Sequence, residues 1–372
     1  MKLLFYFPIL SQTKHKSEMR DLVTLALREP ASLTELTLGE WDLLVRQARQ
    51  VNLFARIGSI LDDLGLIAMM PARPRAHLEA ARVMAYKQQQ AIRWEVRCIQ
   101  RALVDTGVTM ILLKGAAYVM AELPFANGRL FGDIDILVPK DKLPVVEAAL
   151  MLHGWAVTKI DAYDQRYYRT WMHELPPLQH LKRQTVIDVH HAILPETARF
   201  HPDSASLIAA ACAPSNTAAL KVLAPTDMIL HSATHLFCGE IDKGLRDLAD
   251  LDSLLRHFGT APQFWETLGG RAIALDLNRP LFYALRYTKQ ILATPVPDSV
   301  LRSIKNPPGF ILRCFMDALF TRAFRPDHVS CRLRFTGFAR WLLYLRAHWL
   351  RMPPWLLARH LWHKAFISPK IE

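Results

Sequence analysis

The chain of 372 residues has few cysteines and no paired cysteine motif. Its five cysteines are dispersed, at Cys98, Cys212, Cys238, Cys314 and Cys331. This usage argues against a disulfide framework or a cysteine-rich zinc site and favours reduced thiols in a cytoplasm. The Gly-x-x-x-x-Gly-Lys-Ser/Thr motif of ATPases and the Gly-x-Gly-x-x-Gly motif of dinucleotide-binding proteins are also absent from the sequence.

Long apolar runs and acidic residues are scarce as well. No apolar run reaches about 18 residues, so we expect no transmembrane segment. Residues 1–10 are apolar, but a lysine, a central proline and the lack of a small-residue cleavage pattern favour a folded or loosely packed N-terminus over a signal peptide. With 46 Lys and Arg against 34 Asp and Glu, the formal net charge of +12 predicts an anionic partner, such as a nucleotide, a nucleic acid or an acidic membrane surface.

Among the acidic residues, one closely spaced pair of aspartates indicates a candidate metal site. Residues 131–138 read FGDIDILV, a β-type apolar run that contains Asp133 and Asp135. Because strand side chains alternate between faces, both carboxylates lie on one side and the intervening apolar residues on the other. Such close like charges are unfavourable unless a cation lies between them, and carboxylate oxygens suit Mg²⁺. An isolated Asp-x-Asp also occurs on solvated strands, so the flanking segments decide the interpretation.

The upstream segment predicts a phosphate-binding turn. Residues 109–113 (TMILL) predict a buried strand, and Lys114, Gly115 and Ala116 then break it directly before a helical run. The N-terminus of a helix offers free backbone N–H groups and the positive end of a dipole to a phosphate.

The downstream segment predicts a third carboxylate. Residues 184–190 (QTVIDVH) form an alternating strand pattern with Asp188 and His190 on one face. His190 can orient a substrate or accept a proton, and a hydrogen-bonded core histidine is an equal alternative. His231 and His235, spaced i, i+4, lack the glutamate of the zinc-protease motif, so we expect them to be structural or to line a pocket.

These motifs, in this order, resemble the nucleotidyltransferase superfamily related to DNA polymerase β. More closely, the chain resembles an uncharacterised bacterial nucleotidyltransferase family with Leu-Leu-Lys-Gly, Arg-x-x-Gly-Asp-x-Asp, a His- and Pro-rich patch, and Asp/Glu-hydrophobic-His. Here these motifs stand at residues 112–115, 129–135, 173–177 and 187–190. A later helical stretch at residues 245–255 also fits, and the resemblance covers about residues 20–260.

The resemblance implies a Mg²⁺- or Mn²⁺-dependent enzyme that moves a nucleoside monophosphate from an NTP, such as ATP, to an acceptor hydroxyl. The catalytic and metal-binding residues would be Asp133, Asp135 and Asp188. Of these, Asp188 would lie near the acceptor hydroxyl and assist its deprotonation. Two metal ions would polarise the α-phosphate and hold the triphosphate.

The same resemblance implies a nucleotide-binding set. Its members are Lys114, Gly115, Ala116, Arg129 and Gly132. Ala116 stands where the wider superfamily has serine or glycine. Phosphate binding would therefore depend on Lys114, Arg129 and backbone N–H groups.

No residue identifies the acceptor. The family's expected association with polysaccharide or capsule biosynthesis indicates a sugar, lipid-linked or protein acceptor, whereas the positive charge favours RNA. An alternative of another class is a non-catalytic nucleotide-binding or protein-interaction module with the same fold. Retention of all three carboxylates argues against this alternative, and the alanine at position 116 argues for it.

The residue periodicity predicts an α+β protein in which a small mixed β-sheet nucleotidyltransferase core is flanked by helical regions. We expect four parts: an N-terminal helical region at 1–104, the core at 105–194, a helical region at 195–294 and a basic aromatic helical tail at 295–372.

The tail is rich in aromatic and basic residues. Residues 337–367 contain Trp341, Tyr344, Trp349, Trp355 and Trp362 interleaved with Arg and Lys. Three interpretations remain: helices packed on the body with arginines outward, a peripheral membrane contact of a cytoplasmic protein, and RNA binding. Packing is slightly favoured, because a body this rich in helices has apolar faces to cover.

Overall fold

The computed structural model describes residues 21–158, 162–214, 220–355 and 357–358. Within them, helices surround one six-stranded mixed sheet, which confirms the α+β class. The expectations for residues 1–10, and for Trp362 and the rest of the tail beyond residue 358, lie outside the described residues.

Most of the described chain is helical. Four described helices precede the sheet: α1 (Leu22–Arg28), α2 (Leu38–Gln50), α3 (Phe54–Asp63) and α4 (Ala72–Leu103). Within the sheet region lie α5 (Lys114–Met120), α6 (Leu143–Leu152), α7 (Ala162–Trp171) and α8 (Ser204–Ala210). The helices that follow are α9 (Pro225–Cys238), α10 (Gly244–Phe258), α11 (Pro262–Ala274), α12 (Asn278–Leu292), α13 (Asp298–Ser303), α14 (Phe310–Ala323) and α15 (Thr336–Arg351). Short 3₁₀ turns occur at Pro30–Glu35, Ile67–Met69, Val104–Thr106, Pro124–Ala126, Lys140–Lys142 and Val329–Cys331.

The sheet combines parallel and antiparallel pairs. Its strands are β1 (Met110–Leu112), β2 (Asp133–Leu137), β3 (Trp155–Val157), β4 (Leu178–His180), β5 (Val186–His190) and β6 (Leu220–Val222). The spatial order is β3-β4-β5-β2-β1-β6. The two acid-bearing strands, β2 and β5, are parallel neighbours at its centre, whereas β1 runs antiparallel to β2.

Both faces of the central strand β2 are covered. Ile134 and Ile136 pack into the apolar core, and Asp135 on the other face is only 3% exposed. A polar-out, apolar-in alternation therefore does not describe this strand, because its acidic face is covered by other parts of the protein. Burial of a carboxylate requires compensating partners.

The sheet and the core extend past the expected limits of the 105–194 region. Strand β6 pairs in parallel with β1, with Met110 opposite Leu220. One continuous apolar core includes residues from Leu22 on α1 to Leu343 on α15. The division into four regions stays a prediction, and the apolar core crosses all of its described boundaries.

Helix α15 shows how the described part of the tail is attached. Its buried face includes Ala339, Leu343 and Ala347. Arg346 donates a hydrogen bond of 2.6 Å from Nη1 to the carbonyl of Phe237, near the end of α9, where helix carbonyls lack intrahelical partners. The tail thus packs on the body, but not with all arginines outward. None of the helices in the described ranges is long and apolar enough to cross a membrane.

A buried ion triad connects α3, the loop before β2 and α10. Arg56 Nη2 lies 2.8 Å from Asp250 Oδ1, and Arg129 Nε lies 2.8 Å from Asp250 Oδ2. All three side chains are less than 10% exposed. Burial alone would raise the pKa of Asp250, but the two guanidinium groups hold it below its usual value.

We expect Asp250→Asn to lower the free energy of unfolding by about 3–5 kcal/mol, because two buried guanidinium groups lose their counter-charge. Urea denaturation of the variant and the wild type measures this change. The matched control is Asp42→Asn, which removes an exposed ion pair with Arg46 and should cost less than about 1 kcal/mol. Equal losses in the two variants would contradict a stabilising role for the triad.

Candidate active site

The three predicted carboxylates lie on one face of the central sheet. The parallel register of β2 and β5 makes Asp135 and Asp188 direct Cα partners. Asp133 lies two residues before Asp135 on the same face of β2 and is exposed. His190 lies two residues after Asp188 on the same face of β5 and is buried. Parallel pairing thus brings together residues that are far apart in the sequence.

Asp135 has two hydrogen-bonding partners. Lys114 Nζ donates to its Oδ1 at 2.8 Å, and His190 Nε2 lies 3.0 Å from the same oxygen. Burial alone would raise the pKa of Asp135, but the ammonium of Lys114 and the imidazole of His190 hold it well below its usual range. The cation expected between crowded carboxylates is therefore supplied in part by Lys114.

Lys114 occupies an unusual backbone conformation. Its φ is +45°, in the left-handed region, which costs about 1–3 kcal/mol for a residue other than glycine. It directly follows the buried strand β1 and begins α5, a helix of seven residues. From this position Lys114 pairs with the buried carboxylate of Asp135, which would otherwise lack a cationic partner.

Arg129 is held away from open solvent. Besides its bond to Asp250, its guanidinium lies over the rings of Tyr118 and Phe131, 5.7 and 5.2 Å from their centroids. A Cβ on Gly115 would collide with this guanidinium, which explains why the residue after Lys114 is glycine. Arg129 therefore supports the Lys114–Gly115 turn, and its contact with phosphate stays a prediction.

The two remaining predicted nucleotide-binding residues have contrasting surroundings. Ala116 is buried in the apolar core, whereas Gly132 is exposed, with no heavy atom within 4 Å of an added Cβ. Any contribution of Ala116 to phosphate binding would thus come from its backbone. Both assignments stay predictions.

Asp188 differs from Asp135 because its buried Oδ1 has no hydrogen-bond partner among the described residues. Burial, together with the negative charges of Asp135 and Glu174, raises the pKa of Asp188 to about 7. A divalent cation would relieve both defects, so Asp133, Asp135 and Asp188 fit a Mg²⁺ or Mn²⁺ site.

The structure adds His173 and Glu174 to this region. A β-bridge joins Glu174 to His190, and Glu174 Oε2 lies 3.2 Å from His190 Nδ1. The rings of His173 and His190 are 5.3 Å apart. The sequence placed His173 and Glu174 in a family motif but gave them no role. Their position before two strands was a weak signal, since the bridge cannot be seen in the sequence.

A cleft of about 350 Å³ opens beside Asp133. Besides His173 and His235, its lining includes three basic residues and three further acidic ones: Lys243, Arg246, Arg351, Glu240, Asp242 and Asp247. The basic residues come from the beginning of α10 and the end of α15. The predicted pocket-lining role is confirmed for His235, while His231 is buried. The three basic residues were missed because they carry no motif and converge only in the fold.

Comparison with known families gives the class of protein. The family described as "Uncharacterised nucleotidyltransferase" matches residues 38–293, which include all six strands and the three carboxylates. The chain therefore belongs to this nucleotidyltransferase family, and the resemblance read from its motifs is confirmed. A search of curated proteins found no match. Helices α14 and α15, including Arg351, lie outside the matched range.

The raised pKa of Asp188 predicts a pH-dependent stability. The native protein retains this proton up to about pH 7, whereas an unfolded chain releases it near about pH 4, so stability falls as pH rises between these values. In metal-free buffer, the melting temperature of Asp188→Asn minus that of the wild type should increase from about pH 4 to about pH 7 and then level off. A difference that is constant with pH would contradict the raised pKa.

Proposed function

We propose that the protein is a Mg²⁺- or Mn²⁺-dependent nucleotidyltransferase that moves a nucleoside monophosphate from an NTP to a hydroxyl group of an acceptor. The observation that supports this most directly is the shared face of β2 and β5, where three carboxylates, one of them with a buried unpaired oxygen, lie beside a cleft that basic and acidic residues line together. Acids attract the metal, and basic groups attract the phosphates.

The three carboxylates have distinct environments, and we assign them distinct roles. Asp133, Asp135 and Asp188 would hold the metal. The metal would supply positive charge against the phosphates during transfer. Asp188 would lie near the acceptor hydroxyl and take its proton as the hydroxyl oxygen bonds to the α-phosphorus. The bond from that phosphorus to the bridging oxygen breaks, and pyrophosphate leaves with its electrons.

Phosphate binding is assigned to groups near Asp133. Lys114 already lies within the acid set, and a triphosphate oxygen can replace Asp135 as its partner. Lys243, Arg246 and Arg351 line the adjoining cleft, although Arg246 is also paired with Asp247. Gly115, Ala116 and Gly132 would contribute backbone N–H groups. Arg129 would act mainly through the turn that it supports.

The non-catalytic module remains the alternative. It keeps the fold and the nucleotide cleft but predicts no group transfer. The acceptor, whether a sugar, a lipid-linked molecule, a protein or RNA, stays open under either proposal. Cell extract can serve as the acceptor source, because a labelled product of any of these classes would be detected.

We expect Asp133→Asn to reduce transfer of label from an α-³²P-labelled NTP, with Mg²⁺ or Mn²⁺ and cell extract, by more than about 100-fold. Loss of groups that only orient metal ligands costs about 10- to 100-fold, and loss of a ligand should cost more. Because Asp133 is exposed, the melting temperature in metal-free buffer should change little.

Asp141→Asn is the matched control, since Asp141 is exposed and follows the same strand within a 3₁₀ turn. This variant should keep the wild-type rate. Label transfer by Asp133→Asn at the wild-type rate would contradict the proposed metal role. Binding of NTP by the wild type without transfer to any component of the extract would favour the non-catalytic module.

A specific observation also favours peripheral contact of this protein with an anionic membrane. Nearly half of the exposed large apolar side chains in the described residues lie within residues 310–355. On α15, Phe338, Trp341 and Trp349 are each about half exposed. Residues 310–355 contain eight arginines and two acidic residues. Exposed aromatic rings with surrounding positive charge suit an anionic headgroup interface.

We expect the full-length protein to sediment with vesicles of mixed phosphatidylserine and phosphatidylcholine, and the double variant F338S/W341S to sediment less. Added salt should weaken binding, because exposed charges are screened over about 8 Å at physiological ionic strength. Leu152→Ser, at an exposed apolar position on α6, is the control and should bind as the wild type does. Equal sedimentation of all three proteins, or none of the wild type, would exclude contact through α15.

A further inference from the structure

A second cluster of potential metal ligands lies next to the acid set. His173, Glu174 and His190 each offer a ligand atom, and these atoms all lie within 4.8 Å of one another. His173 and His190 are buried and Glu174 is half-buried. The cluster combines imidazole nitrogen with carboxylate oxygen, which separates it chemically from the oxygen-only set of Asp133, Asp135 and Asp188.

The orientation of His190 is fixed by its contact with Asp135. His190 Nε2 lies 3.0 Å from Asp135 Oδ1, a contact in which the ring nitrogen donates and the carboxylate oxygen accepts. The other ring nitrogen, Nδ1, faces Glu174 Oε2 at 3.2 Å, and its lone pair can bind a metal ion when this nitrogen carries no proton. A carboxylate that orients a histidine through its second nitrogen is the usual support of a metal-bound histidine.

His173 gives independent support for a metal ion at this cluster. Its Nδ1 and that of His190 are both buried without a hydrogen-bond partner among the described residues. A buried polar atom of this kind is unfavourable unless a ligand or a hydrogen-bond partner binds it. A doubly protonated His190 that bridged Asp135 and Glu174 would satisfy His190 but would leave His173 Nδ1 unpaired. A metal ion can satisfy both histidines at once.

We propose that His173, Glu174 and His190 form a binding site for a transition metal ion of the Zn²⁺ type. Imidazole and carboxylate together suit Zn²⁺, whereas Mg²⁺ prefers oxygen ligands. Three protein ligands leave one coordination position, as in catalytic zinc sites. Because His173 also lines the cleft beside Asp133, that position is available to water or to a bound anion. The proposal does not depend on nucleotidyl transfer.

The test is metal binding by the full-length protein after removal of metals with a chelator. We expect one Zn²⁺ per chain in competition with a chromophoric chelator. We also expect Co²⁺ to give a visible absorption spectrum typical of four- or five-coordinate nitrogen and oxygen ligation. The variants His173→Gln, Glu174→Gln and His190→Gln should each lower Zn²⁺ affinity by more than about 10-fold, and Asp135→Asn by about 10- to 100-fold through misorientation of His190.

Two control variants separate this site from its surroundings. His191→Gln changes the adjacent histidine, which contacts the Met172 carbonyl, and should leave Zn²⁺ affinity unchanged. Asp133→Asn removes a member of the oxygen set and should also leave it unchanged. If the ligand variants fail to fold, two measurements on the wild type still test the proposal. These are the Co²⁺ absorption spectrum and the competition of excess Mg²⁺ with bound Zn²⁺. No stoichiometric Zn²⁺, displacement by Mg²⁺, or equal losses in His173→Gln and His191→Gln would overturn the proposal.

Discussion

The buried carboxylate of Asp135 is the constraint on which the rest of the site depends. A charge at this depth is stable only with close partners, and it has Lys114 on one side and His190 on the other. The first partner requires the left-handed backbone at Lys114, and the second requires the parallel register that sets β5 beside β2. One ion cluster thus connects the turn after β1 with the two central parallel strands.

A second buried cluster supports the same turn from its other side. Asp250 on α10 holds Arg129, and Arg129 in turn lies against Gly115. The turn at Lys114 and Gly115 is therefore placed between two networks, one anchored in the sheet and one in the later helices. This arrangement explains why a helical stretch far beyond the sheet belongs to the same family pattern, since its aspartate completes the motif that contains Arg129.

Local periodicity was sufficient to predict β1, β2 and β5 and the shared face of the acids, because strand alternation depends only on neighbouring residues, but it did not predict the three-residue strands β3, β4 and β6. It could not predict that Arg129 pairs with Asp250, 121 positions away, or that Arg351 reaches the cleft. The orientation of the tail was also unpredictable in detail. Arg346 points inward, where its guanidinium donates to the Phe237 carbonyl and lies over two aromatic rings. Trp341 on the same helix is exposed to solvent.

Three identical side chains acquire different chemistry from their positions. Asp133 is exposed at the start of β2, so its carboxylate can replace its hydrating water with a metal ion without a change in the fold. Asp135 is ionised and held by two cationic or donating groups, so it serves as the fixed charge of the site. Asp188 is half-buried beside that charge, with one buried oxygen unpaired, and in the absence of metal its pKa is raised to about 7. Burial is the largest cause of the raised pKa of Asp188, and the negative charge of Asp135 beside it raises that pKa further, so the two acids of one register pair differ in their readiness to ionise.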